Sequence, residues 1–118
     1  MMETLLHGLF IDKSETLMLN NQAIAPVSLR SWFSDTIENF RVTSSDQLLA
    51  KLVTCSTFPV LQTQRDAWLM EFSLLRDALA GRRGKVYLEF EVPRIGHRID
   101  AVVLLNGIIV SIEFKIDS

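Results

Sequence analysis

The dipeptide Asn106-Gly107 constrains the fold most, because it separates two runs of apolar, β-forming residues. A two-residue hairpin turn requires positive φ at both central positions, which asparagine and glycine adopt most readily. The sequence therefore predicts a β-hairpin with strands at residues 98–105 and 108–116. Near the turn both runs are apolar on both faces, which is typical of a buried hairpin.

The short turn also predicts which residues face each other. If Leu105 pairs with Ile108, Asp100 lies directly opposite Glu113. Lys115 then projects from the same face, because side chains alternate along a strand. Opposed Cβ atoms lie roughly 4.5–5.5 Å apart, where two carboxylates repel each other. Charged groups beside apolar strands are rarely buried unless they are paired or bind metal. We therefore expect either a divalent cation between the two carboxylates or an ordinary ion pair with Lys115, and we favour the cation.

Three elements are predicted in the first half of the chain. Residues 16–19 have the composition of a short strand. Residues 28–40 have a 3.6-residue apolar period, with Ser28 as the N-cap of a helix. A second helix is expected after Ser44, because Gln47 follows at capping-box spacing.

The third predicted helix, residues 64–80, has the clearest pattern. Thr63 and Asp66 have capping-box spacing, and Gly81 is well placed to end the helix. Its apolar stripe consists of Trp68, Phe72, Leu75 and Leu79. This stripe, together with Trp32, is expected in the core.

Residues 85–92 alternate in polarity and are predicted to form a strand with one polar face. The apolar face would carry Val86, Leu88, Phe90 and Val92. The polar face would carry Tyr87, Glu89 and Glu91.

The length of 118 residues favours one domain, 1–118. We expect a helical extension at residues 1–60 and a helix plus three-strand core at residues 62–118. The net charge of -2 gives no global argument for nucleic-acid binding. Cys55 alone cannot form an internal disulfide, and no apolar run is long enough to cross a membrane. The expected location is therefore the cytoplasm, without membrane contact.

Residues 90–100, Phe-Glu-Val-Pro-Arg-Ile-Gly-His-Arg-Ile-Asp, followed by Ile-Glu-Phe-Lys at 112–115, resemble the PD-(D/E)XK nuclease superfamily. More narrowly, the segment is similar to the nuclease-like domain that precedes helicase-type ATPase domains in some bacterial proteins. In those proteins a helix with a Trp-x-x-Glu pattern comes before the strands, and here Trp68 and Glu71 match it. The resemblance covers about residues 62–117.

The resemblance implies a set of site residues. Asp100 and Glu113 would bind Mg²⁺ (or Mn²⁺), with the Phe114 carbonyl as a further ligand. Lys115 would position or activate the attacking water, and Glu71 would be the additional helix carboxylate. Independently of the resemblance, the basic residues Arg94, His97 and Arg98 are expected either to contact phosphates or to be solvated loop residues. The expected partner is nucleic acid, with DNA preferred over RNA.

The chain also departs from the family pattern. Family cores continue with another helix and strand, whereas this chain has three residues after Lys115. We therefore expect a core whose C-terminal part is missing, completed by a partner domain or by a homodimer through an exposed third strand.

The predicted fold is thus α/β, with a restriction-endonuclease-like core of one helix and a three-stranded, mostly antiparallel sheet, preceded by N-terminal helices. The leading hypothesis is a metal-dependent nuclease. One alternative is a catalytically inactive nuclease-like module for nucleic-acid binding or assembly. A second is a purely structural domain in which Asp100 and Glu113 form ordinary surface ion pairs and point away from each other.

Overall fold

The structure, a computed structural model, describes residues 9–11, 16–19, 22–26, 30–92 and 96–115. It is an α/β fold. Its strands are β1 Leu9–Ile11, β2 Thr16–Leu19, β3 Gln22–Pro26, β4 Ser31–Thr36, β5 Lys85–Val92, β6 His97–Leu105 and β7 Ile108–Ile112. Its helices are α1 Ile37–Val42, α2 Ser45–Cys55 and α3 Gln62–Ala78.

Two antiparallel sheets are formed. The smaller has the strand order β1-β2-β3 and contains the strand predicted at residues 16–19. The larger has the order β4-β5-β6-β7. The expected three-stranded core sheet therefore has a fourth strand, β4, on its β5 side.

The predicted hairpin is confirmed. Asn106 and Gly107 have φ values of 50° and 79°, as the two-residue turn requires. Leu105 pairs with Ile108, and the same register continues to Ala101 and Ile112.

The helix predicted at residues 28–40 is wrong in its first half. Residues 31–36 form β4 instead, and α1 begins only at Ile37. Pairing of Phe33 with Leu88 of β5 satisfies backbone groups that an isolated helix would have satisfied internally, so tertiary context overrides the local period. The Thr36 hydroxyl caps α1 by accepting from the Asn39 N–H, whereas the predicted cap, Ser28, lies outside the described residues.

The other two helices agree better with the sequence. The Ser44 hydroxyl caps α2 by accepting from the Gln47 N–H, as predicted. Helix α3 starts earlier than expected, at Gln62, and its N-cap residue, Leu61, makes no side-chain cap, so the predicted capping box is wrong. None of the helices in the described residues is long and apolar enough to cross a membrane.

The helices cover one face of the larger sheet. The predicted stripe of α3 is buried there, and it packs with α1, α2 and inward residues of the sheet. The sheet residues in this cluster are Val86, Leu88, Ala101, Val103 and Ile112.

The predicted alternation of β5 fails after Leu88. Phe90 and Val92 belong to a second buried cluster with Tyr87, rather than to the cluster of Leu88. The cause is Glu89, whose φ of 52° reverses the sense of alternation in the middle of the strand. The ladder to β6 keeps one register on both sides of this residue, since Leu88 pairs with Ala101 and Phe90 with Ile99.

Candidate active site

Asp100 and Glu113 lie at the open end of the β6–β7 hairpin, one residue beyond the last ladder pair. The N–H of Phe114 donates a 2.8 Å hydrogen bond to Oδ2 of Asp100. The chain after β7 thus turns its backbone toward this carboxylate instead of extending the ladder. This explains why β7 ends at Ile112, whereas the sequence predicted a strand to residue 116.

The surroundings of the Asp100 carboxyl disfavour its charged form. Burial raises its pKa most strongly, and the charge of Glu113 raises it further, although the hydrogen bond from Phe114 lowers it. The charge of Glu113 therefore acts on the Asp100 carboxyl, although the two residues are not paired in the ladder.

Glu71 of α3 joins this acidic group. It is half-buried, and its pKa is raised to about 8, first by burial and then by the charges of Asp100 and Glu89. The carboxyl is therefore largely protonated at neutral pH when no cation is present. The structure thus brings the helix carboxylate that matches the Trp-x-x-Glu pattern to the end of the hairpin.

Glu89 is a member of the site that the sequence interpretation missed. It is only 4% exposed. Trp68 Nε1–H donates to its Oε1 at 2.8 Å, and Arg98 Nε donates to its Oε2 at 2.5 Å. Burial raises the pKa of Glu89, although both of these partners lower it. Positive φ is uncommon for glutamate, and such strain is concentrated at functional sites.

Glu89 was not predicted as a site residue because its orientation differs from regular strand alternation. Regular alternation assigned Glu89 and Glu91 to one solvent-facing side, and only Glu91 is exposed. The positive φ that turns Glu89 inward depends on its contacts with Trp68 and Arg98, which lie on other elements. The available signal was a glutamate between two apolar residues, Leu88 and Phe90, in a strand beside the predicted site.

Two of the predicted phosphate-binding residues border the carboxylates. His97 Nε2 lies 2.9 Å from Oε1 of Glu113. Arg98 pairs with Glu89, and its guanidinium lies over the Trp32 ring, 4.4 Å from the ring centroid. Lys115 is exposed and follows Phe114 directly. Arg94 lies outside the described residues.

Carboxylates are among the oxygen ligands that Mg²⁺ uses in proteins. Within the described part of the chain, no three His, Cys, Asp or Glu side chains form a group that could hold a metal ion. Mg²⁺, however, commonly uses one or two carboxylates and retains several waters. Asp100 and Glu113 supply two carboxylates, and a cation beside them would favour the charged form of Asp100, whose pKa is raised first by burial and then by the charge of Glu113.

Comparison with known proteins finds no match to a family model, a curated protein or a solved structure. The resemblance to PD-(D/E)XK nucleases therefore stays a prediction from the motif residues.

Proposed function

We propose that the protein is a divalent-metal-dependent nuclease that hydrolyses phosphodiester bonds of DNA or RNA through a restriction-endonuclease-like site. One observation carries the proposal: the Phe114 N–H donates to Asp100 Oδ2 at 2.8 Å, which brings the segment that carries Glu113 next to Asp100 at the open end of the hairpin. Lys115 follows Glu113 by two residues, in the segment beyond the end of β7.

In this proposal Asp100, Glu113 and the Phe114 carbonyl hold the metal. Bound Mg²⁺ lowers the pKa of its water and stabilises the negative charge that develops on the phosphate. The Phe114 N–H keeps the Asp100 carboxylate oriented before any cation binds. This preorganisation lowers the cost of forming the site, because one oxygen already has a fixed partner.

Lys115 and Glu71 have different roles. The Lys115 ammonium positions the attacking water and stabilises charge on the phosphate oxygens. Glu71 holds a proton near neutral pH in the metal-free protein and loses it more readily when a cation reduces the local negative charge. The negative charge that Glu71 gains when it loses this proton would offset part of the positive charge of the metal.

A second candidate is the catalytically inactive nuclease-like module, which binds nucleic acid or a partner without cleavage. The specific observation in its favour is that two of the carboxylates already have close partners. Glu113 contacts His97, and Glu89 is held by Trp68 and Arg98. A module of this kind would tolerate neutralisation of Asp100.

The test is cleavage of end-labelled single- and double-stranded DNA and RNA in Mn²⁺ or Mg²⁺. We expect the Lys115→Ala variant to lose at least about 100-fold in rate, because it lacks the cation that stabilises the phosphate. Lys51→Ala, which removes an exposed lysine of α2, serves as the matched control and should cleave normally.

Metal binding separates the two candidates. For the nuclease, Mg²⁺ should raise the melting temperature, because it binds only the folded chain. Asp100→Asn should abolish this shift, and the exposed Asp77→Asn should keep it. Cleavage that is equal in Lys115→Ala and the parent would indicate a contaminant. Absence of both cleavage and a metal-dependent shift would favour the inactive module.

A further inference from the structure

A second feature adjoins the carboxylates. A pocket of about 520 Å³ opens between the α2–α3 connection, the start of α3 and the larger sheet. Trp32, Trp68 and Arg98 line it on the inner side, and Phe58 and Leu61 lie at the α2–α3 connection. These last two side chains are 78% and 71% exposed, which is unusual for large apolar residues.

Arg98 connects this pocket to the proposed active site. It lines the pocket, forms an ion pair with Glu89, and its charge lowers the pKa of Asp100. A ligand in the pocket would therefore lie next to the carboxylates. Arg98 is 44% exposed even with its guanidinium over Trp32, so part of it is accessible to such a ligand.

The lining has the chemistry of a base-binding site. Trp32 is half-buried, lies under the Arg98 guanidinium and meets the buried Trp68 edge to face, with ring centroids 6.3 Å apart. Phe58 presents an exposed ring at the same pocket. Aromatic rings and guanidinium groups are the surfaces on which unstacked nucleobases are held. Thr63 and Gln64 add polar groups that could meet the edge of a base. The volume is sufficient for one nucleotide.

We propose that this pocket binds an unpaired nucleobase of the strand whose phosphodiester lies at the carboxylates. A base inside a duplex is stacked and paired, so it cannot enter without being extruded. The proposal rests on the proposed nuclease function and narrows its substrate class to nucleic acids with a single-stranded segment. Arg98 would then hold the base rather than only a phosphate.

Trp32 is a half-buried residue of the pocket lining, and the buried Trp68 lies behind it, so tryptophan fluorescence is a probe of occupancy. The probes are an oligodeoxythymidine strand, an abasic strand of equal length and a blunt duplex, all in EDTA to prevent cleavage. We expect saturable quenching by the oligodeoxythymidine strand, with affinity at least about tenfold above that for either other probe. Equal affinity for the abasic strand would overturn the proposal, because it would show contact with phosphates alone.

A pair of variants tests the location. Phe58→Ala should weaken binding of the oligodeoxythymidine strand about tenfold, which is the usual effect of removing one stacking ring. Val42→Ala replaces a residue of α1 that is 83% exposed and outside the pocket, and it should bind like the parent. Unchanged affinity in Phe58→Ala would overturn the proposal. The proposal would also be overturned if the apolar dye ANS bound the pocket and the oligodeoxythymidine strand failed to displace it, because that result would indicate an apolar partner.

Failure of this inference is distinguishable from failure of the nuclease proposal. Suppose that cleavage depends on Lys115 but shows no preference for unpaired bases and no effect of Phe58→Ala. That result would rule out base binding in the pocket and would still support the nuclease proposal. Base-dependent quenching without any cleavage would support the pocket and leave the inactive module as the function.

Discussion

At the scale of single residues, Glu89 links the sheet to the site. Its positive φ, its burial and its two donors occur together in the middle of β5. The donors come from α3 and β6, so the residue ties three elements together. A strained backbone position persists only when its surroundings stabilise it, and here Trp68 and Arg98 provide that stabilisation.

Substitution of Glu89 measures how much its contacts with Trp68 and Arg98 stabilise the fold. Glu89→Ala should lower the free energy of unfolding by about 1–3 kcal/mol, because it leaves the buried Trp68 N–H without an acceptor. Glu89→Gln should cost less than about 1 kcal/mol, since its amide oxygen still accepts that bond. Urea denaturation of both variants measures the difference. An equal loss in the two would assign the stabilisation to the ion pair with Arg98.

The raised pKa of Glu71 should make the free energy of unfolding depend on pH. This pKa is about 8 in the folded chain against an ordinary value of 4.5, so the folded state binds more protons between these values. The free energy of unfolding of the metal-free protein should therefore fall as pH rises through this window.

Glu71→Gln should flatten this pH dependence, since it has no proton to lose. Thermal unfolding at constant ionic strength, from about pH 5 to about pH 8, measures the slope. Glu91→Gln, at an exposed position of β5, is the control and should retain it. A slope that is unchanged in Glu71→Gln would mean that other groups, such as Asp100 and Glu89, cause it.

At the scale of elements, the entry to β5 is a close junction of three segments. The Gly84 carbonyl accepts a 3.0 Å hydrogen bond from the Ile37 N–H at the start of α1. On its other side Gly84 approaches the end of β6, where an added Cβ would lie 1.9 Å from the Leu104 carbonyl oxygen. Its φ of 152° is also one that other residues rarely adopt.

Gly84→Ala should therefore destabilise the protein by at least about 3 kcal/mol, because the backbone of either α1 or β6 must move. Gly81 provides a matched comparison, since its φ of 73° is also positive but its Cβ would meet no atom within 4 Å. Gly81→Ala should cost only about 1–2 kcal/mol, the strain of the left-handed conformation. Equal losses in chemical denaturation would show that conformation, rather than contact, dominates at Gly84.

At the scale of the whole molecule, β7 ends the larger sheet on the side of the proposed active site. In the described part of the chain no strand pairs with its outer edge, and Ile108 is 64% exposed. Unpaired edges form hydrogen bonds with other chains unless charge or irregularity prevents it. We therefore predict a homodimer formed through β7, which would also extend the sheet beside the carboxylates.

Sedimentation velocity across a range of concentrations tests this association. Ile108→Lys should shift the chain toward monomer, because a lysine at the edge hinders strand pairing. Met70→Lys is the control, since Met70 is a 58% exposed apolar residue of α3 rather than of the sheet edge. A parent chain that stays monomeric throughout would contradict the prediction. An equal shift in both variants would indicate general hydrophobic association.

The sequence by itself determined the features that depend on neighbouring residues. The turn at Asn106-Gly107 and its register follow from backbone preferences over two residues. The Ser44 cap and the buried stripe of α3 follow from hydrogen bonding and periodicity within one helix. The register was correct as far as Ala101 and Ile112, but the ladder ends there, so the predicted direct pairing of Asp100 with Glu113 does not form.

Only the tertiary structure decided the features that depend on distant residues. Residues 31–36 are a strand because β5 offers a ladder, although their local period favours a helix. Glu89 turns inward because Trp68 and Arg98 are there to bind it. The raised pKa of Glu71 likewise arises from burial and from charges on other elements. Such contacts join residues far apart in the chain, and no local pattern specifies them.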